Sequence, residues 1–333
     1  MERVRKLNGR EWRDTVYVAG RYEAQTRSNS GHCYERPSTQ LPSRVLVGQA
    51  IQPAAAFQGG SLMTIVTGAS GFIGRRLMEK LGLEAHAVSL RGNLDAIAGA
   101  DAVVHLAGEP VSQRWTKDVR EKIRSSRVEG TRRLVDAMRA NPPRVLVSAS
   151  AVGYYGSRGD ELLAESSAPD DGFLGGVCVE WEREARKAEE FGVRVVCLRS
   201  GLVLGHGGGL EKMLLPFKLG VGGKIGDGRQ WMAWIHLEDA VGLIQFALSS
   251  TLTGSVNATA PNPVTNEEFT RKLAAALHRP ALFPVPKFAL HLLYGDMAQI
   301  VYASQRVIPE AALRAGYEFR FPNLQGALLD ILR

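Results

Sequence analysis

Three features of the sequence predict an α/β fold built on a doubly wound parallel sheet. Short apolar runs rich in β-branched residues recur, separated by stretches of helical length. A glycine loop, "TGASGFIG" at residues 67–74, joins the first run to the first helix. Beyond residue 205 the chain turns glycine-rich and then mainly helical. Strands buried on both faces read as continuous apolar runs, and alternation with helices of ten to twenty residues builds a parallel sheet.

The elements follow in order. "TIVTG" is a strand, "RRLMEKLG" a helix, "AHAVSLR" and "DAVVHLAG" strands, 117–140 a long helix, "RVLVSAS" a strand, 176–191 a helix and "VRVVCLRSG" a strand. These make residues 63–204 a Rossmann-type dinucleotide-binding domain. "HLEDAVGLIQFALSS", "NEEFTRKLAAALHRP" and "PKFALHLLYGDMAQIV", punctuated by Pro and Gly, make 205–333 a smaller, mainly helical substrate lobe whose strands and helices partly return to the first domain. Residues 1–62 are rich in Arg, Ser, Gln and Pro without a sustained period, and are expected to be a disordered or non-native extension. Met63 stands directly before the first strand, where the functional protein would begin. Glu2, Glu11 and Asp14 run against a transit sequence, and no apolar segment suits a signal peptide.

Composition narrows the function classes. The 333 residues are 45% apolar and 23% charged, which describes a globular chain, and no window of 18 apolar residues suggests a membrane span. The net charge of +7 is concentrated in the extension, where nine Lys/Arg face five Asp/Glu. The remainder shows no basic block or nucleic-acid-binding motif, so no nucleic-acid partner is expected. Cys33, Cys178 and Cys197 form no CxxC pair, as in a reduced cytoplasmic protein, and the seven histidines lack ligand spacing, so no metal is expected.

The glycine loop carries the first chemistry. Gly68, Gly71 and Gly74 sit between strand and helix, so the first turns the chain, the second admits a pyrophosphate against the backbone, and the third packs helix on strand; Ser70, Phe72 and Ile73 complete the loop. The helix start then offers free N–H groups to phosphate. About twenty residues on, "SLRGN" places Leu90 and Arg91 where an acid would bind a ribose 2′-hydroxyl or an arginine a 2′-phosphate. With Arg91 there and no acid before Asp95, the expected cofactor is NADP(H).

"TGASGFIG", "DAVVHLAG" and "SASAVGYYG", in this order, resemble the extended short-chain dehydrogenase/reductase superfamily, of the nucleotide-sugar epimerase and dehydratase type. "SRVEGTRRLVDAM", "VCVEWEREA", "RSGLVLGHGGG", "GDGRQWMAWIHLEDA", "NPVTNEEF" and "ASQRVIPEAALRAGYEFRFP" resemble its atypical epimerase-like branch, sometimes mislabelled as cell-division inhibitors. The resemblance spans 63–333. It implies that Leu106, Ala107 and Gly108 lie against the adenosine ribose, that Lys122 and Arg127 direct charge towards the cofactor phosphates, and that Val203 flanks the nicotinamide. His105 reads as a structural imidazole.

The superfamily's catalytic Tyr and its Lys four residues on are replaced, by this resemblance, with Leu174 and Cys178. A free tyrosine titrates near pH ~10, so without a cation it serves better as proton donor than base. Ser150 is expected to bind the substrate oxygen as donor, with Tyr155 or Tyr154 as acid, unless the tyrosines simply wall the pocket. Arg229, Gln230 and Trp231, on a glycine-flanked loop, are candidate substrate contacts; Trp234 and His236 could join them or serve the core, and Asp239 a helix start. The expected function is that of an NADP(H)-binding, epimerase-like oxidoreductase acting on a small polar carbonyl or hydroxyl compound in the reductive direction, the alternative an NADP(H)-binding protein with little or no turnover, a redox sensor or binding module. A DNA-binding or division role rests only on the old family label and the basic extension. Substrate and oligomeric state stay open.

Overall fold

The computed structural model describes residues 63–281 and 283–333, so the expectations for 1–62 lie outside it. Six strands form one parallel sheet: β1 (Thr64–Thr67), β2 (Ala85–Val88), β3 (Ala102–His105), β4 (Val145–Ala151), β6 (Arg194–Ser200) and β10 (Gly254–Ala258), in spatial order β10-β6-β4-β3-β1-β2. Between β4 and β6 the chain makes a two-residue strand, β5 (Leu162–Leu163), and helix α3 (Phe173–Arg186); α1 (Phe72–Leu81) and α2 (Lys117–Met138) complete the first half. The strand order reverses between β1 and β3, which opens a crevice at their carboxyl ends, where such sheets place ligands. β2 and β3 are joined by only a 3-10 turn, Asp95–Gly99.

Residue alternation explains why both faces are covered. Val66, Val104, Val147 and Val196 share one face with Leu243, Ile244 and Ala247 of α5 (Leu237–Ser249). Their neighbours Ile65, Val103, Leu146 and Val195 turn to the other, against Leu134, Val135 and Met138 of α2 and Ala185 of α3. A period of two therefore buries consecutive residues, and the middle of each of these strands reads as a short apolar run.

After β6 come β7 (Leu202–Leu204), α4 (Gly208–Lys218), β8 (Trp231–Met232), β9 (Trp234–His236), α5 and β10, then β11 (Val264–Thr265), α6 (Asn266–Ala276), α7 (Lys287–Tyr294), α8 (Ala298–Tyr302), β12 (Arg306–Val307), α9 (Glu310–Arg314) and α10 (Leu324–Ile331). β10 pairs with β6 in the main sheet, so sequence beyond 205 completes the parallel fold. The remaining strands pair two by two: β7 with β9, β8 with β11, β12 with β5. A separate core of Leu204, Leu210, Trp234, Phe269, Leu273 and Leu328 joins α4, α6 and α10.

Candidate functional site

The glycine loop is built as a cradle. Gly68 has φ +74°, and a Cβ there would lie 2.6 Å from the Leu106 carbonyl carbon; a Cβ on Gly74 would lie 2.2 Å from the Gly68 oxygen. Only glycine permits both the left-handed turn and the close approach of β1's end to the strand beside it. Gly71 is exposed at the N-cap of α1, with no side-chain cap and no acid in the first turn, so the N–H groups of Phe72 and Ile73 meet no side-chain acceptor. A helix start left bare in this way can receive an anion. Ser70 lies exposed beside it, the backbone of Leu106 and Ala107 lies against Gly68, and Gly108 is exposed next to them. Leu90 is half-buried beneath the α2 core and Arg91 exposed on the turn after β2. Val203, half-buried on β7, packs at the sheet's carboxyl end.

Arg127 and Lys122 do not converge. They are five residues apart on α2, about 140° around a helix, so Lys122 faces outward and is exposed while Arg127 turns in. Arg127 donates to the Glu109 and Ile123 carbonyls at 2.9 and 3.1 Å and stacks 5.1 Å from the Trp181 ring. Its guanidinium lies against Gly108 and braces the loop after β3.

His105 is structural. Thr131 gives its hydroxyl proton to the Arg127 carbonyl, so His105 Nε2–H must donate to Thr131, and Nδ1 must accept from Thr67 at 2.7 Å. Burial, then the Arg127 charge, pushes its pKa down to about 4. An unfolded chain takes up this proton near pH 6.5 and the native protein does not, so stability rises with pH across about 4 to 6.5 and is lost as pH falls through that window. Thermal melts of parent and His105→Gln at pH 4.5, 5.5 and 6.5 should show a flatter pH dependence in the variant, by about one proton. Parallel curves would show that His105 is protonated in the native state.

The two positions where the resemblance implies a Tyr and a Lys are filled by apolar packing near the end of β4. Leu174 packs beside Gly153 and joins Trp115 and Phe173 in an apolar cluster. Cys178 is buried with its thiol 3.8 Å from the Ala151 carbonyl, and burial holds its pKa up at about 11, so it is no nucleophile at neutral pH.

Ser150, Tyr154 and Tyr155 are brought together, in different environments. Ser150 donates to Glu182 Oε1 at 2.7 Å, so its proton is committed and its oxygen is left as acceptor, contrary to the expected donor role. Tyr155 is fully buried; it donates to Asn257 at 2.7 Å and accepts from Arg199 at 3.0 Å, and burial raises its pKa. It belongs to a core cluster with Val152, Leu163 and Val307. Tyr154, on the same 3-10 turn, is half-buried, stacks edge-on against Tyr155 and has the Arg199 guanidinium 3.4 Å from its ring centre. Its hydroxyl makes no hydrogen bond among the described residues.

Sequence reasoning missed the network that holds these groups. Glu182 on α3 accepts from Ser150, from Ser255 at 2.9 Å, and from Arg199 through Nε at 2.7 Å and a second nitrogen at 2.8 Å. Arg199 and Glu182 are 3% and 5% exposed. The signal was present: a charge inside "VVCLRSG" and another inside "VCVEWEREA" must pair if buried.

Among the expected substrate contacts, Arg229 is exposed and Trp231 half-buried, its indole donating to Asp160 at 2.8 Å beneath the Arg306 guanidinium. Gln230 is buried and donates to the Ile225 carbonyl. Trp234 is wholly buried and bonded to Asn262, and His236 caps α5 by accepting from Glu238 N–H. Asp239 holds the backbone of Arg320 and Phe321. Lys212 of α4 reaches Ser112 at 2.9 Å, tying that helix to the loop after β3.

Comparison with known proteins agrees with this geometry. Residues 64–258 match the NAD dependent epimerase/dehydratase family, and 285–331 a domain of unknown function, DUF1731. The chain is 40% identical over 308 residues to the Arabidopsis thaliana chloroplastic SDR39U1 homolog, covering 83% of this chain and 88% of that protein. It is 35% identical to the epimerase family protein YfhF of Bacillus subtilis, covering 80% and 97%. Among solved structures it resembles human epimerase family protein SDR39U1 crystallised with NADPH, with a TM-score of 0.74, 33% identity, and coverage of 81% and 98%.

Proposed function

Because the chain belongs to the NAD dependent epimerase/dehydratase family, we propose that it binds NADP(H) in the β1/β3 crevice and reduces a small polar carbonyl compound. The observation that carries the cofactor reading is the glycine cradle, where Gly68 and Gly74 leave no room for a side chain and the α1 start is bare of acids. The human relative's NADPH supports it. The dinucleotide supplies hydride when bound; everything else is the work of this chain's residues.

Tyr154 is the proton donor in this reading. Its hydroxyl makes no hydrogen bond among the described residues, and the charge of the Arg199 guanidinium over its ring face is already paired with Glu182. Leu174 and Cys178 provide no cation to make a tyrosinate base, which favours reduction, where a neutral phenol gives its proton to the alkoxide. The segment after residue 205 serves as the substrate lobe, with Arg229 and Trp231 as its accessible contacts. Cys178 and Cys197 are free and buried, which fits a reducing compartment such as the cytoplasm, and no helix among the described residues is long and apolar enough to cross a membrane.

The test is a screen of carbonyl compounds for NADPH oxidation. Tyr154→Phe should lower turnover by about 10²-fold or more while keeping NADPH affinity. Tyr155→Phe should act on stability, and Ser150→Ala on both through Glu182. Full turnover in Tyr154→Phe would move the donor elsewhere. The apolar filling at Leu174 and Cys178 favours a second reading, an NADP(H)-binding module; NADPH binding without oxidation of any carbonyl would select it.

A further inference from the structure

A cleft of about 270 Å³ lies between Arg76 and Lys80 of α1, the Gly205–His206 loop, the start of α5 and the end of α10. Its polar groups divide into a closed set and an open one. Glu238 accepts from Arg76 at 2.6 and 3.1 Å and pairs with Lys80 at 3.1 Å, so these three charges satisfy one another. Arg320 has no ion pair among the described residues and lies over the Phe321 ring, and His206 is exposed at the rim.

His236 is the telling member. It is 3% exposed. Its Nδ1 accepts a backbone N–H, which can only donate, so the ring proton is on Nε2. That N–H has no hydrogen-bond partner; Asp330 Oδ2 stands 3.4 Å away without hydrogen-bond geometry. A buried donor left open at the wall of a cleft calls for a partner. A donor with a carboxylate beside it suits a hydroxyl, which can accept from the first and donate to the second, whereas a bare anion would meet Asp330 unfavourably. The unpaired cation, Arg320, suits an acid group.

We propose that this cleft binds a small hydroxylated anion, a hydroxy acid or sugar phosphate, whose acid group meets Arg320 and His206 and whose hydroxyl bridges His236 and Asp330. The site is independent of the cofactor reading.

Calorimetric titration of the full chain, saturated with NADPH to occupy the glycine cradle, tests it with glycerol 3-phosphate and glycerate as probes and propionate and glycerol as controls. If NADPH itself does not bind, the cofactor reading fails and the same titrations are run on the chain alone. At least one hydroxylated anion should bind tenfold or more tighter than either control; the phosphate alone marks a sugar-phosphate site and glycerate alone a hydroxy-acid site. Arg320→Ala, at an exposed position, should weaken binding tenfold or more and leave NADPH affinity within twofold. His236→Asn keeps a helix-capping residue but cannot place the same donor, and should weaken binding similarly. No binding of either probe, controls that bind as well, or affinity unchanged in Arg320→Ala overturns the proposal.

Discussion

Replacing Arg199 by methionine should destabilise the protein by about 3–5 kcal/mol, because it leaves the Glu182 carboxylate buried without its countercharge. Burial opposes the Arg199 charge, but the Glu182 hydrogen bonds outweigh it and raise its pKa above the ordinary arginine value. The pair spans β6 and α3 and is 97% and 95% removed from solvent, so salt should not screen it as it screens surface pairs. Adding Glu182→Met to Arg199→Met should recover part of the loss, since an apolar pair of similar volume dispenses with both desolvation penalties. Ser150, Ser255 and Tyr155 would still lose partners, so recovery should be incomplete. Urea unfolding at pH 7 measures all three proteins. A single variant within about 1 kcal/mol of the parent would mean water reaches Glu182 and the network is not dry.

How far the sequence reveals this molecule depends on the scale of each feature. Five strands of the sheet are legible in the sequence, most clearly where double burial writes an apolar run, as in "AVVH", whereas the sixth, β10, reads "GSVNA" and carries no such run. The two-residue strands β5, β8, β11 and β12 are not legible, since two residues carry no period. The glycine cradle is legible because backbone approach excludes every side chain at Gly68 and Gly74. Lys122 and Arg127 are adjacent in sequence reasoning yet separated by helical rotation. Tyr154 and Tyr155 are indistinguishable in sequence; a single 3-10 turn, by aiming one hydroxyl at Asn257 and Arg199, decides which remains open.

Arg91→Ala should weaken NADPH tenfold or more while leaving NADH nearly unchanged. Arg91 sits on the turn after β2, fixed by its own N–H to Ser89 Oγ at 3.3 Å and by Gly92 N–H to the Ser89 carbonyl at 3.1 Å. Its guanidinium has no ion pair among the described residues, and the nearest acid along the chain, Asp95, accepts from Asn93 at 2.5 Å. An exposed and unpaired guanidinium loses little on meeting a 2′-phosphate, and a charge-assisted hydrogen bond contributes about 1.5–3 kcal/mol, which is roughly tenfold to a hundredfold in affinity. NADH offers only a hydroxyl there, with no carboxylate at the turn to receive it, so the side chain's loss changes its binding little. The discrimination should shrink as ionic strength rises, because an exposed pair is screened within about 10 Å at 0.1 M salt. Arg91→Glu should go further and reverse the preference, repelling the phosphate while offering the ribose hydroxyl an acceptor. Fluorescence titration of both dinucleotides at low and high salt reads these effects together. Equal affinities for NADPH and NADH in the parent protein would remove Arg91 from cofactor recognition.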